Sequence, residues 1–551
     1  MDEDLKRSLK VVILENEQNT VQILRRILPK LFLSLNYKAI CVDTKDATQV
    51  DELIREDRCD VLFCDLTLGS AKVGTGLDHI RRIKSEFPHV FVVACSQESP
   101  KLQEVNDRAP HTFDIFLPKE SFIYDVEKSN ARVGWQEQFR SDFVEKFRIA
   151  TDIDLEIPEE HRKATRINHP DPAHRGASLE WSDIRTLCRQ CLWTGPKLDA
   201  QFLPNVARLI PLGGGRSGSL VMRIELSVRD RNLDFVPLVL KISPLDRARE
   251  EMANFQRYVR LIVPYRWRVD TVGWGETRLW GAIAYSFAFG DAAKYVSLTD
   301  FISKGDQAAF ENLADQIFGR SGHIWYNQKF ESVTPSLSTH YIKKFFSPDY
   351  RLNSARTGLT SFLTNCGIHE HDGFEIGGTE YPAPWRLLFE RLAMAGTMTV
   401  CHGDLNSNNI IVTSDAKQIT FIDFQDTGRG HVFEDFVALE SSVRLYYPSE
   451  ATKLSPVTLR QHIDAESVLL DSFPEGGKLN RQRQSLVPYA GFILKVRERA
   501  NAIFGKVNPA EYLYALAAFH YRLARIADLT DAQRMRTSAC MFAALHRLAR
   551  T

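Results

Sequence analysis

Apolar runs and helical spacings alternate along the first 125 residues. Val11-Val12-Ile13-Leu14 is strand-like and ends in Glu15-Asn16-Glu17. Val21, Leu24, Leu28 and Leu31 then recur at helical spacing, with Pro29 late in the run. Residues 39–42, 60–65, 91–95 and 113–117 are further apolar runs, and Leu77, Ile80 and Ile83 mark another helix. Five strands alternating with helices predict a doubly wound parallel sheet with its site at the carboxyl ends of the strands.

The polar residues fall at those ends: Glu15 after the first strand, Asp65 after the third, Ser96 after the fourth and Lys119 after the fifth. Over residues 1–125 this pattern resembles the response-regulator receiver domain. The resemblance implies an acidic pair that binds magnesium, a phosphoacceptor (Asp65), and a switch pair that senses the phosphate (Ser96 and Lys119). Two features depart. The acidic pair reads Glu15-Asn16, and an amide holds a hard cation less well than a carboxylate. The loop 66–76 is long and lacks the usual Met-Pro. The segment is therefore either a phosphorylatable switch or a docking module that keeps the fold.

Residues 126–202 read as a helical connector and linker. Trp135, Phe139, Phe143 and Phe147 recur every four residues. That stripe extends the receiver's last helix, mediates a homodimer, or packs against the next domain. Residues 158–178 are polar and proline-containing and read as an exposed loop. Cys188 and Cys191 form a lone Cys-x-x-Cys, read as two thiols on one helix rather than a zinc or redox site.

From 203 to 290 the pattern changes. Val206–Leu212 is strand-like, Gly213-Gly214-Gly215-Arg216-Ser217-Gly218 follows, and a second strand runs from Ser219 to Leu226. A dinucleotide fingerprint would be followed by a helix, whereas a strand–glycine loop–strand hairpin covers nucleotide phosphates with backbone N–H groups. Gly213, Gly215, Arg216, Ser217 and Gly218 are the candidates for that contact. Lys241 lies inside the apolar run Leu238–Ile242. It contacts phosphates, or it is an edge-strand lysine that reaches water. Glu251, with Glu250 the close alternative, is the carboxylate proposed to pair with it. Tyr285 and Phe287 read as the hinge beside an adenine.

Residues 291–551 read as a helical lobe interrupted by a distinctive stretch: Thr399-Val400-Cys401-His402-Gly403-Asp404, then Asn409, then two short strands and Asp423. The turn 413–418 makes the strands a hairpin, which brings Asn409 and Asp423 close by antiparallel pairing. Asp404 would accept a hydrogen bond from an attacking hydroxyl. Asn409 and Asp423 would hold magnesium on ATP. The ordered set of glycine loop, Lys, Glu, His-Gly-Asp, Asn and Asp predicts a kinase-like fold.

Gly403 stands where protein kinases usually carry arginine, and neither Asp-Phe-Gly nor Ala-Pro-Glu appears. The stretch is similar to the aminoglycoside phosphotransferase and choline kinase superfamily. The run Gly430–Phe436 matches that superfamily's Gly, then Asp, then apolar helix, with Asp435 read as a buried brace. The loop Gly213–Gly218 looks like the bacterial "ternary complex associated" group of phosphotransferase-like domains, which the resemblance ties to conflict or signalling operons. It covers roughly residues 203–545. Arg497, Arg499, Arg522, Arg525, Arg547 and Arg550 in the helical tail read as solvated surface.

The sequence thus predicts an α/β receiver-like domain (1–125), a connector (126–202), and an α+β bilobal kinase-like fold with lobes at 203–290 and 291–551. At 551 residues several domains are expected. Seventy basic and seventy acidic residues leave no net charge, so no global field favours nucleic acid or an anionic membrane. No apolar run is long enough for a membrane span, and the acidic start lacks a signal-peptide core. Nine scattered cysteines, several in apolar runs, fit a reducing, cytoplasmic setting.

The function expected is ATP- and Mg2+-dependent phosphotransfer to an unknown small molecule or protein, controlled by the receiver. A cognate histidine kinase or an operon-encoded protein is the expected partner. Two alternatives stay open: a non-catalytic nucleotide-binding scaffold and nucleotidyl transfer.

Overall fold

The computed structural model describes residues 7–35, 37–55, 59–66, 75–87, 90–96, 113–123, 134–147, 154–158, 167–171, 174, 177–192, 206–214, 218–227, 235–286, 295–304, 313–321, 325–326, 329–330, 336–448, 452–471, 481–505 and 507–550. The chain forms two compact units. One comprises Met1–Arg249 with Thr271–Phe287, the other Glu250–Asp270 with Ala288–Thr551.

The first unit opens with β1 (Arg7–Leu14), α1 (Gln18–Leu33), β2 (Tyr37–Thr44), α2 (Ala47–Arg55), β3 (Val61–Asp65), α3 (Thr75–Glu86), β4 (Phe91–Ser96), β5 (Ile115–Pro118), α4 (Lys119–Ile123) and α5 (Gly134–Lys146). The strands form a five-stranded parallel sheet in the order β2-β1-β3-β4-β5. β3 and β4 are buried at every position, because helices cover both faces.

Strand alternation divides the core. Leu9, Val11, Ile13, Phe63, Phe91 and Val93 face one layer, and Val12, Leu14, Leu62, Val92 and Ala94 face the other. Pro29 is accommodated within α1. The Phe139–Phe143–Phe147 stripe of α5 packs on this sheet. Phe143 stacks on Phe139 and Phe147 and meets Phe32 and Phe91 edge-on. Of the three placements the spacing allowed, the stripe completes the first sheet's core, which therefore extends past residue 125 to Phe147.

The same unit holds a second sheet, β10-β11-β9-β8-β7-β6: β6 (Asp154–Glu156), β7 (Val206–Gly214), β8 (Leu220–Ser227), β9 (Leu238–Pro244), β10 (Thr271–Glu276) and β11 (Trp280–Ser286). All pairs are antiparallel except β6–β7. The stretch read as connector thus supplies an edge strand. It also supplies α6 (Trp181–Cys191), which packs so closely that a Cβ on Gly273 would lie 1.9 Å from the Cys191 carbonyl oxygen. Cys188 and Cys191 are buried in that core, and burial pushes the Cys188 thiol up to about 12. Such thiols are inert core residues. Asn168 bridges to Ser178, and His169 packs its ring on Trp280, so part of the loop read as exposed is anchored. A helix, α7 (Leu245–Asn254), follows β9.

The second unit carries two three-stranded sheets. β12 (Tyr295–Ser297) pairs with β17 (Ile410–Thr413), which pairs with β18 (Ile419–Phe421). β16 (Met398–Cys401) lies between β13 (Lys329–Phe330) and β19 (Gly428–His431). A further two-stranded sheet is the hairpin β14 (Gly373–Ile376) and β15 (Thr379–Pro382).

The main helices are α8 (Leu298–Ser303), α9 (Leu337–Tyr341), α10 (Tyr350–Asn365), α11 (Glu434–Tyr446), α12 (Pro456–Asp471), α13 (Arg481–Leu486), α14 (Ala490–Phe504), α15 (Pro509–Leu523) and α16 (Asp531–Leu548). α11 is buried along nearly its whole length. Among the described residues no helix is long and apolar enough to cross a membrane.

Not all of the tail arginines are solvated. Arg497 is fully buried, and of the six only Arg550 is exposed. The reason is local chemistry. Arg497 meets Glu440 at 2.5 Å and donates to the Leu469 carbonyl at 2.6 Å, while Arg444 pairs with Glu440 at 2.9 Å and Glu466 at 2.7 Å. Burial opposes ionisation of Glu440, but the Arg497 and Arg444 guanidiniums hold its carboxyl down to about 2. Arg499 and Arg547 pair with Asp315 and Asp471.

Candidate functional site

The second unit's polar centre is built on the turn that leaves β16. His402 is fully buried; its Nε2–H donates to the Ile422 carbonyl at 3.0 Å, and its Nδ1 has no partner among the described residues. Gly403 has φ +83°, and a Cβ there would lie 2.1 Å from the Asp426 carbonyl oxygen. Only glycine combines that backbone region with that approach.

Three side chains hold the turn. The Asp435 carboxylate accepts the N–H of His402 at 2.7 Å, the N–H of Gly403 at 2.9 Å and the Tyr326 hydroxyl at 2.7 Å. Thr427 donates to the His402 carbonyl, and Lys344 donates to the Gly403 carbonyl at 2.7 Å while pairing with Glu434. Asp435 is thus a brace by geometry, at the start of α11.

Asp404 follows, half-buried. Its Oδ2 accepts from the side-chain amides of Asn406 at 3.0 Å and Asn409 at 3.3 Å, and the Asn409 amide also reaches the Asp404 carbonyl at 2.8 Å. Asn409 closes a short 3-10 turn before β17. The hairpin pairing continues one residue past β18, with the Ile422 N–H on the Asn409 carbonyl at 3.0 Å. Asp423, the next residue, is half-buried and has φ +64°, a region that aspartate tolerates better than most residues. The expected hairpin is present, and its backbone joins Asn409 to Ile422, the residue before Asp423.

Burial raises the Asp426 carboxyl, with Lys344 opposing and Asp404 and Asp423 adding to the rise. Arg522 also opposes the rise, so five charged groups share one neighbourhood.

The donor set suits a hard cation on phosphates. With the Asn409 amide nitrogen committed to Asp404, its Oδ1 and the Asp423 carboxylate are oxygen ligands of the kind magnesium takes. Among the described residues no three His, Cys, Asp or Glu side chains form a metal cage. A magnesium ion that draws most of its ligands from a nucleotide needs none.

The first unit holds two further sets of candidates. In the antiparallel β7–β8 hairpin, Gly213 and Gly214 end β7, Gly214 pairs with Leu220, and Gly218 has φ +73°. Gly215, Arg216, Ser217 and Phe287 lie outside the described residues. Lys241 is buried on β9, between β11 and β8, so it is not an edge-strand lysine. Tyr285 is buried on β11. On α7, which is shared between the units, Glu251 is fully buried and Glu250 exposed.

At the carboxyl edge of the parallel sheet, Lys119 Nζ lies 2.9 Å from Glu15 and 3.0 Å from Asp65, all three buried. Desolvation opposes the lysine's charge, but the hydrogen bonds it donates to Glu15 and Asp65 outweigh it and raise its pKa. Ser96 is buried at the end of β4, and Asn16 is half-buried.

Lys344, Thr427 and Tyr326 were not read from the sequence. Each acts on the catalytic-type turn from far along the chain, and no local pattern marks such a contact.

Two family models match parts of the chain: ternary complex associated domain 9 over residues 205–361 and the phosphotransferase enzyme family over residues 379–448. The second match spans His402 through Asp435. No curated protein matches the chain.

Among solved structures, the chain is similar to the aminoglycoside phosphotransferase APH(3'')-Id from Streptomyces rimosus (18% identity, 52% of this chain and 92% of that one, TM-score 0.25). It is also similar to an ethanolamine kinase from Plasmodium vivax (12% identity, 65% and 85%, TM-score 0.31). A third likeness is to the RcsB response regulator from Salmonella typhimurium (18% identity, 22% and 56%, TM-score 0.18). At TM-scores this low, the fold is read from the chain's own topology. The phosphotransferase-type character of residues 379–448 comes from the family match.

Proposed function

We propose that the chain is an ATP- and magnesium-dependent phosphotransferase. The observation that carries this reading is the Asp404–Asn409 arrangement on the braced turn, within the segment that matches the phosphotransferase family. Asp404 aligns the acceptor hydroxyl, and Asn409 and Asp423 supply oxygens to magnesium. Lys241, the glycine hairpin and Tyr285 are the first unit's candidates for phosphates and adenine, and Glu251 is the candidate orienting carboxylate of the second unit. Magnesium, when bound, neutralises phosphate charge; the chain's own residues position and orient. ADP formation from ATP should fall by orders of magnitude in Asp404→Ala and Asp423→Ala. Unchanged turnover would sink the assignment, and tight ATP binding without turnover would make the domain a nucleotide-sensing scaffold.

The Glu15–Asp65–Lys119 cluster supports a regulatory reading of the first sheet. Asp65 would accept a phosphoryl group, from a histidine kinase for example, and Lys119 would exchange carboxylate contacts for phosphate contacts. The test compares turnover with and without beryllofluoride in the native protein and in Asp65→Ala. No difference between them leaves the sheet a docking domain.

A further inference from the structure

Arg522, in the last turn of α15, is the cation that no structural role absorbs. Its guanidinium lies over the rings of Phe345 at 4.5 Å and Phe519 at 4.2 Å. Among the described residues its N–H donors make no hydrogen bond or ion pair. The stack sets it beside the catalytic-type turn, because Phe345 adjoins Lys344, whose ammonium bonds the Gly403 carbonyl. Burial lowers its pKa, and the charges of Asp404 and Asp426 oppose that.

Arg525 lies one helical turn on, with Nη1 3.3 Å from the Phe345 carbonyl. Burial lowers it too, and the positive charges of Arg522 and Arg351 add to the effect. Arg522 thus lies near Asp404, with Arg525 beside Arg522 and Arg351 beside Arg525. Like charges held together cost stability, and an anion relieves that cost.

We propose that the acceptor aligned by Asp404 carries an anionic group, a carboxylate or a phosphate, and that Arg522 is its main anchor, with Arg525 and Arg351 adding attraction. This rests on the phosphotransferase reading. The acceptor's hydroxyl oxygen forms a bond to the γ-phosphorus of ATP. The bond from that phosphorus to the β–γ bridging oxygen breaks, and its electron pair leaves with ADP. The hydroxyl proton passes to the Asp404 carboxylate. A polycationic acceptor would meet the like charge of Arg522 beside Asp404.

The test is calorimetric binding to the full chain without nucleotide, so it does not depend on turnover. The probes are 3-phosphoglycerate, glycerate (carboxylate only), glycerol 3-phosphate (phosphate only), glycerol and kanamycin. Binding of 3-phosphoglycerate is expected, with glycerate and glycerol 3-phosphate showing which anion is read, and with no binding of glycerol or kanamycin. Arg522→Gln should weaken the anion roughly tenfold to a hundredfold, the range for losing hydrogen bonds to a charged group. Arg522→Lys should recover part of it, and affinity should fall with added salt. Binding of kanamycin but no anion, or equal anion affinity in an Arg522→Gln variant of unchanged melting temperature, overturns the proposal. Loss of ATP turnover with anion binding intact would instead fault only the phosphotransferase reading.

Discussion

The carboxylate of Asp435 accepts the backbone N–H of Gly403 on one oxygen and that of His402 on the other, at 2.9 and 2.7 Å. One side chain at the start of a buried helix therefore sets two consecutive peptide planes in front of Asp404. Asp435→Ala leaves two backbone donors and the Tyr326 hydroxyl buried without their acceptor. At about 1–3 kcal/mol for each unsatisfied group, the loss is several kcal/mol. Chemical denaturation should show that loss. Asp435→Asn, which offers one acceptor and one donor to two N–H groups, should fall between native and alanine.

Gly403→Ala tests the turn from the other side. The substitution places a Cβ 2.1 Å from the Asp426 carbonyl oxygen at a φ of +83°. The neighbour is backbone, so relief requires the turn or the Asp426 strand connection to move. Displacement by an ångström at a positioning group costs about a hundredfold in rate. ADP formation should drop by at least that factor, with a smaller effect on the melting temperature than Asp435→Ala.

Much of this was legible from local pattern. The five strands of the first sheet follow from short apolar runs bounded by polar ends, and the Asn409–Asp423 hairpin follows from two runs around a turn. Asp435 was legible as a brace through the resemblance of Gly430–Phe436 to the phosphotransferase superfamily's Gly, then Asp, then apolar helix.

The failures share a cause: partners far apart in sequence. Residues 154–156 are too few to read as a strand, yet they pair with Val206–Arg208. Phe139, Phe143 and Phe147 showed their spacing but not their partner, which is the sheet behind them. Arg497 carried a signal that charge obscured. It lies four residues after Ile493 and three before Ala500, on the buried face of α14, where Glu440 and the Leu469 carbonyl make it tenable.

That pair gives a third prediction. Arg497 and Glu440 are both fully inaccessible, and Tyr512 donates to Glu440 as well. Arg497→Met removes one charge and leaves the other in the core, facing Arg444 alone. Breaking a buried pair in this way costs about 3–5 kcal/mol, far more than a surface arginine would. Arg550→Met, on exposed helix, should change stability by under about 0.5 kcal/mol. Urea midpoints of the two variants measure the contrast, and equal values would refute the structural role given to Arg497.

The last prediction concerns acid. His340 Nε2 lies 3.1 Å from a Glu434 oxygen, but burial first, then the positive charges of Lys344 and Lys343, push its pKa down from 6.5 to about 4. The hydrogen bond to Glu434 is therefore that of a neutral ring donating N–H. Burial also lowers His431, whose ring meets Glu511 at 3.1 Å, and His520. A group with a depressed folded pKa takes up protons in the unfolded chain first. Stability is then complete above about pH 6.5 and falls as the pH drops toward about 4. From His340 alone the loss between about pH 7 and pH 5 is on the order of 2 kcal/mol. Urea unfolding across that range should show stability declining with acid, and His340→Gln should flatten the slope. An unchanged slope in that variant would mean that the ring's pKa does not differ between the folded and unfolded chain, which would overturn the depressed value.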